Sequence, residues 1–306
     1  MRAWAAAAVG VVLVVLGSAL AWRVQTSGGE VAVHDVRFPG GPDVTMSGLL
    51  YVPKTATTEH PAPAILVSHG LINTREMQSP FAIELSRRGY VVLAMDMTGH
   101  GYSGGVIAQN GFGGPAAFSY LASQPFVDRS AIGLEGHSLG GGPVIMAARA
   151  NPDGYRAIVL EGSSPSIAGF GGGGRRPGAS PPAPFKPRNI AVVFGQYDEF
   201  AKTMWGADTG AGLPNSKRLQ QLFETDKPVT VGKVYGEIAD GTGRLLVLPA
   251  VDHPQEHFTR VGIAGALDWF ARTMPAPHAL PSSDQVWPWK EVGTLVGFLG
   301  CVVLIL

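Results

Sequence analysis

The chain has 306 residues with 23 basic and 23 acidic side chains, so its formal charge is zero, and no basic stripe or charge run points to a nucleic-acid partner. Its single cysteine, Cys301, lies in an apolar tail, which leaves the rest of the chain without a disulfide or a thiolate nucleophile. Forty-two glycines and 24 prolines mark a loop-rich globular protein, long enough for one α/β domain with a large core.

The first element is apolar. WAAAAVGVVLVVLGSALAW, from Trp4 to Trp22, carries no charge, is flanked by Arg2 and Arg23, and is long enough to cross a bilayer. Residues 1–23 read as a membrane anchor, the alternative being a secretory signal cleaved at the small residues of SALAW. Arg2 and the terminal amine favour a cytoplasmic start, a bias that Arg23 partly offsets. This places the following domain on the outer face of the cytoplasmic membrane.

Next, VAVHDVRF and VTMSGLLYVP flank PGGPD and read as a hairpin. PAILVSHG is a buried strand, SPFAIELSRRG a helix, YVVLAMD a second buried strand and GPAAFSYLASQ a second helix. AIGLEG is a strand leading directly into the helical HSLGGGPVIMAARA. RAIVLEG, IAVVFG and RLLVLPA complete the strands, and VGIAGALDWFARTM is an amphipathic last helix. The alternation predicts an α/β fold, a mostly parallel sheet with helices on both faces and ligands bound beyond the carboxyl ends of the strands. Two stretches break it. Residues 168–188 are low-complexity Gly/Pro, and residues 201–232 carry a weak helical pattern that reads as a small cap or irregular insertion. The domain is expected over 31–275, a linker over 276–290 and a hydrophobic membrane segment over 291–306. That segment follows the Trp/Lys belt WPWK and stops abruptly, as in a truncated chain.

EGHSLGGG, residues 135–142, contains Gly-x-Ser-x-Gly, the pattern in which small residues let a strand turn sharply into a helix and present a serine at its N-terminus. GYSGG, 101–105, matches as well, but no helix follows Ser103, which reads as a loop residue. A serine needs a histidine to take its proton and a carboxylate to orient that histidine. Asp198 in VVFGQYDEF and His253 in LLVLPAVDHPQEHF each lie just past a strand end, on the rim that Ser138 shares, with Glu199 and His257 as their competitors. Two backbone N–H groups should hold the developing oxyanion: Leu139, after the nucleophile, and Leu71, after the close-approach Gly70. His69 lacks an adjacent acid and reads as shaping that loop. No metal-ligand spacing or phosphate loop is present, so no cofactor or metal is expected.

These stretches resemble the α/β-hydrolase fold family, nearest to its serine aminopeptidase, prolyl-oligopeptidase and dienelactone-hydrolase-like branch. The resemblance rests on VSHGLINTREMQSPFAIELSRRGYVVLAMDMTGHGYSGG, GHSLGG, VVFGQYDEF and the DHPQEHF to ALDWF ending, and covers residues 31–273. It implies Ser138 as nucleophile, Asp198 as acid, His253 as base, and Leu71 and Leu139 as oxyanion donors. The His-Gly-Gly-Gly motif of many lipases is missing, and so is the cysteine nucleophile of dienelactone hydrolases proper. The expectation is a membrane-anchored serine hydrolase acting on a small-molecule or peptide acyl substrate, with lipid contacted by the terminal segments. An esterase is preferred over an aminopeptidase-like peptidase, because no acidic cluster for an amino terminus stands out. The reading from a different class is a catalytically silent binding module of a larger membrane protein.

Overall fold

A computed structural model describes residues 2–169 and 185–306. The Gly/Pro stretch singled out at 168–188 lies mostly outside the described residues. Among the described residues, eight strands form one sheet: β1 (Val31–Pro39), β2 (Thr45–Pro53), β3 (Ala62–Ser68), β4 (Val91–Met95), β5 (Val127–His137), β6 (Ala157–Glu161), β7 (Ile190–Val193) and β8 (Arg244–Val247), in the order β1-β2-β4-β3-β5-β6-β7-β8. The hairpin β1–β2 is antiparallel, and β2 runs antiparallel to β4. All later pairings are parallel, so their carboxyl ends share one rim. This is the α/β-hydrolase fold that the sequence predicts.

The period-2 geometry of the strands sorts their side chains onto two faces. Ala64, Leu66, Leu134 and Val192 join one core cluster, whereas Ile65, Val67, Val159 and Val193 join the other. On the first face pack α3 (Gly114–Ala122), α4 (Gly141–Ala150), α5 (Ala201–Trp205) and α6 (Lys217–Leu222), through residues such as Phe118, Val144, Met204 and Leu219. On the second pack α2 (Ser79–Arg87) and α7 (Arg260–Thr273), through Phe81, Ile83, Trp269 and Phe270. The stretch read as a small cap contributes Met204, Trp205, Leu213, Leu219, Phe223 and Val229 to the buried core. It is therefore an irregular part of the first helical layer. Its weak pattern reflects short helices joined by turns, which leave no long amphipathic face to detect.

The terminal helices are α1 (Arg2–Gln25) and α8 (Trp287–Ile305). Both are long and apolar enough to cross a membrane. α8 starts four residues before the expected boundary, which brings WPWK into its first turns. The two helices lie antiparallel along each other. A Cβ on Gly17 would meet the backbone N of Gly297 at 2.4 Å and the carbonyl of Gly293 at 2.6 Å, and one on Gly300 would meet the carbonyl of Gly10 at 2.7 Å. Glycines thus set a backbone-to-backbone approach that any side chain would prevent. The outer surfaces of the pair, including Val11, Val15, Leu16, Leu295 and Phe298, are exposed.

Candidate active site

β5 ends at His137, Ser138–Gly140 make one 3-10 turn, and α4 begins at Gly141. Ser138 has φ 52°, a left-handed conformation that an L-residue adopts only when its surroundings enforce it. The flanking glycines show what enforces it. A Cβ on Gly136 would sit 2.2 Å from the carbonyl oxygen of Gly140, and one on Gly140 would sit 2.3 Å from that of Ser68. Strand, turn and the neighbouring strand end are too close for side chains, so the serine is lifted to the head of the helix. Ser163 Oγ donates to the Ser138 carbonyl at 2.6 Å and ties the turn to the end of β6.

Asp198 and His253 come from the loops after β7 and β8, and the structure brings them to Ser138. His253 Nε2 lies 2.8 Å from Ser138 Oγ, and His253 Nδ1 lies 2.8 Å from Asp198 Oδ2. Asp198 is buried, and its Oδ1 accepts the Phe200 N–H at 2.7 Å, which fixes the carboxylate plane. A carboxylate can only accept, so Nδ1 carries the imidazole proton and Nε2 faces the hydroxyl as an acceptor. The ring of Phe200 stands edge-on to His253 with centroids 4.7 Å apart. Glu199 is exposed and is not among the partners of His253.

His257, the competing histidine, is buried one turn away. Its Nδ1 bonds Gln78 Oε1 at 3.2 Å, and its Nε2 faces Asn73 Nδ2 at 3.5 Å. Burial pushes its pKa down to about 3, so it is a neutral structural ring. Ser103 is equally occupied: its Oγ donates to the Asp96 carbonyl and accepts the Ser47 N–H. His69 is buried between the Gly70 carbonyl and the Met97 N–H, and burial lowers its pKa to about 4. An acid does lie near it, contrary to expectation. Asp96 Oδ1 is 3.9 Å away, but it accepts the Arg75 N–H instead. His69 shapes the loop as expected.

Gly70 packs on the nucleophile, since a Cβ there would come within 3.2 Å of Ser138 Cβ, and Leu71 follows it in the chain. Leu139 is the second residue of the 3-10 turn, where backbone N–H groups have no partner within the turn. Of the two expected oxyanion donors, Leu139 thus adjoins Ser138 in the turn, and Leu71 follows the glycine that packs on it.

Beneath this rim lies a buried polar layer that the sequence reading missed. His137 Nε2 is 3.2 Å from both Glu256 Oε2 and the His253 carbonyl. Because a carbonyl only accepts, this nitrogen carries the proton and donates to the His253 carbonyl, while Glu256 Oε2 has no hydrogen-bond partner among the described residues. Burial holds the His137 pKa well below the ordinary value. Glu256 Oε2 is also 3.4 Å from His253 Nδ1, and its Oε1 accepts the Gly195 N–H. Burial first, then the nearby Asp198 charge, raises the Glu256 carboxyl well above its usual range. Glu135 and Glu161, at the ends of β5 and β6, are raised for the same first reason. His137 and Glu256 are adjacent to recognised residues, in EGHS and HPQE, but their meeting depends on how two strand ends converge. His137, His253 and Glu256 also bring ligand-capable atoms within 4.8 Å of one another, a grouping that no sequence spacing reveals. His253 is already held by Asp198 and Ser138, so metal binding there would compete with the serine–histidine bond.

Fold and site together have the architecture of an α/β hydrolase. Residues 63–185 match the alpha/beta hydrolase fold family. Among characterised relatives, the quorum-quenching protein AidA of Acinetobacter baumannii is 34% identical over 134 residues, 42% of each chain. The chain thus spans less than half the length of that relative. A dienelactone hydrolase from Anabaena variabilis superposes with a TM-score of 0.52 at 20% identity, over 80% of this chain and 99% of that one. Est1E from Butyrivibrio proteoclasticus, solved with ferulic acid, gives 0.55 at 16%, over 78% and 99%. An esterase from Pyrococcus furiosus gives 0.52 at 17%, over 81% and 94%.

Proposed function

We propose that the protein is a membrane-anchored serine hydrolase that cleaves an acyl bond through an acyl-Ser138 intermediate, with esters preferred. The observation that carries this reading is the unbroken hydrogen-bonded chain Ser138–His253–Asp198, assembled from the ends of three parallel strands. His253 Nε2 takes the hydroxyl proton as Oγ attacks the acyl carbon, and the N–H groups of Leu139 and Leu71 receive the oxyanion. Collapse of the tetrahedral intermediate expels the alcohol, protonated by His253. Water, deprotonated by the same nitrogen, then releases the acid and restores Ser138. Asp198 keeps the imidazole in the required tautomer and stabilises its charged form.

The likeness to a solved esterase accords with ester cleavage. A binding module has no use for a strained serine aligned with a histidine and a buried aspartate, which weighs against the silent alternative. The paired helices α1 and α8 support anchoring. Their glycine seam leaves apolar outer surfaces for lipid, and an α1 that starts in the cytoplasm puts the hydrolase domain on the outer face.

A fluorophosphonate probe tests the chemistry directly. Ser138 is expected to be labelled, and Ser138→Ala is expected to lose both labelling and hydrolysis of p-nitrophenyl acetate. Labelling at another serine, or none, refutes the assignment.

A further inference from the structure

The point where the chain enters α8 is fastened beside the active site. Glu84 of α2 accepts the N–H groups of Val286 and Trp287 at 2.6 and 2.9 Å and so caps α8. The buried Trp287 ring lies 6.1 Å from that of Phe258, five residues past His253. Between α8 and the loop that follows β3 is a cavity of about 320 Å³, lined by Ile72, Asn73, Met77, Phe258, Lys290 and Glu291 among others. One wall therefore belongs to the loop that packs on Ser138, and the opposite wall is the first turn of the apolar helix.

The glycine seam sets the level of this cavity. Gly293 packs on Ala21, so Trp22 and Trp289 stand within about a turn of each other along the pair, and both are exposed. Tryptophans at one level, with Lys290 beside them, are what a membrane–water boundary selects. The rim on this side presents apolar side chains among polar ones. Leu71 and Phe258 are exposed, and Ile72 is 90% exposed while held at φ 59°, a conformation that a β-branched residue adopts only under constraint. A soluble substrate gives no reason to hold an isoleucine out in this way, whereas a bilayer surface does.

We infer that the active-site mouth opens at the outer membrane–water boundary and that the substrate is an amphiphilic acyl ester resident in that leaflet. Its carbonyl reaches Ser138 while its chain stays along the Ile72–Phe258 cavity. Reaching a membrane-held carbonyl then needs no full extraction of the chain into water, whose cost grows with every methylene exposed. This inference rests on the anchored-hydrolase reading above.

The test uses the full-length protein reconstituted in phosphatidylcholine/phosphatidylglycerol vesicles. The double variant Ile72→Ser/Phe258→Ser is expected to lose at least about tenfold in kcat/KM on vesicle-embedded p-nitrophenyl palmitate, on the scale of two lost apolar contacts. The loss on palmitate should exceed the loss on p-nitrophenyl acetate, and undiminished fluorophosphonate labelling of Ser138 reports that the fold survives. Equal losses on both substrates, or no loss on palmitate, overturn the inference. A second measurement does not depend on turnover. An environment-sensitive dye on Ile72→Cys, in a Cys301→Ser background, should be quenched by nitroxide-labelled lipid, whereas the same dye on Asp153→Cys, at the opposite pole of the sheet, should not. Equal quenching at the two positions, or none at position 72, also overturns it. Failure of the underlying reading looks different: no acetate hydrolysis and no fluorophosphonate label refutes the hydrolase, and release from membranes by carbonate refutes the anchor. Either result removes the inference with it.

Discussion

Ser138 shows how much backbone strain the site holds in place. Its φ of 52° costs on the order of 1–2 kcal/mol for an L-residue, and only the close approach of Gly136, Gly140 and Ser68 keeps it there. Ser138→Ala carries the same strain and should fold as well as the parent, with turnover reduced on the order of a million-fold. Asp198→Asn should cost on the order of 10⁴-fold in kcat, because the amide turns the wrong imidazole nitrogen toward Oγ. Glu199→Gln, at an exposed position, should leave kcat close to the parent value, and a larger loss there than at Asp198 would reassign the acid. His257→Ala should separate stability from chemistry. It leaves Gln78 Oε1 without its partner and removes the tilted ring whose centroid lies 3.7 Å from that of His137, at about 1–3 kcal/mol of stability, while acetate hydrolysis stays within about tenfold. The three groups that meet at the rim were legible because each lies at or just past the end of an apolar strand run. His137 and Glu256 were not, because nothing local distinguishes a buried glutamate in HPQE from a solvated one.

Among the elements, β3 to β8, α2, α4 and α7 were legible because continuous apolar runs and 3.6-residue periodicity both report burial directly. α5 and α6, five and six residues long, are too short to show a period, and only their packing on the sheet makes them core. The terminal helices were legible as apolar spans, but their partnership was not, since Gly10, Gly17, Gly293 and Gly300 read as ordinary glycines until the two ends of the chain meet. That partnership gives a test. In Gly17→Leu the new side chain would have to occupy the space of the Gly293 and Gly297 backbone, so the helices must separate. The cost should be on the order of 1–3 kcal/mol, read as a lower Tm of the detergent-solubilised chain and faster proteolysis near Trp287. Val15→Leu, on the exposed side of α1, should change neither. If both variants behave alike, the glycine seam is not what pairs the helices.

At the scale of the molecule, the polar layer under the rim makes stability depend on pH in two opposing ways. His69, His137 and His257 are held neutral by burial, with pKa values below that of an unfolded histidine. The unfolded chain takes up their protons first as pH falls through about 6.5, so stability drops on the acid side. Glu135, Glu161 and Glu256 are displaced the other way, since burial raises each carboxyl in the fold. Their contribution is complete below the unfolded carboxyl value of about 4.3 and is lost as pH rises toward the folded one, because only the unfolded chain ionises freely. Glu161 isolates the alkaline limb. It is fully buried, neither carboxyl oxygen has a hydrogen-bond partner among the described residues, and Glu135 and Glu256 both disfavour its charge. Glu161→Gln keeps the shape of the protonated acid and cannot ionise. At pH 5 the variant and the parent should melt together. At pH 8.5 the variant should be more stable, each tenfold displacement of a proton equilibrium being worth about 1.4 kcal/mol. For a chain of this size that appears as a Tm raised by roughly 2–4 °C per kcal/mol. A variant equally destabilised at both pH values would mean that Glu161 is held ionised by a partner within the fold, and the alkaline limb would then belong to Glu135 and Glu256 alone.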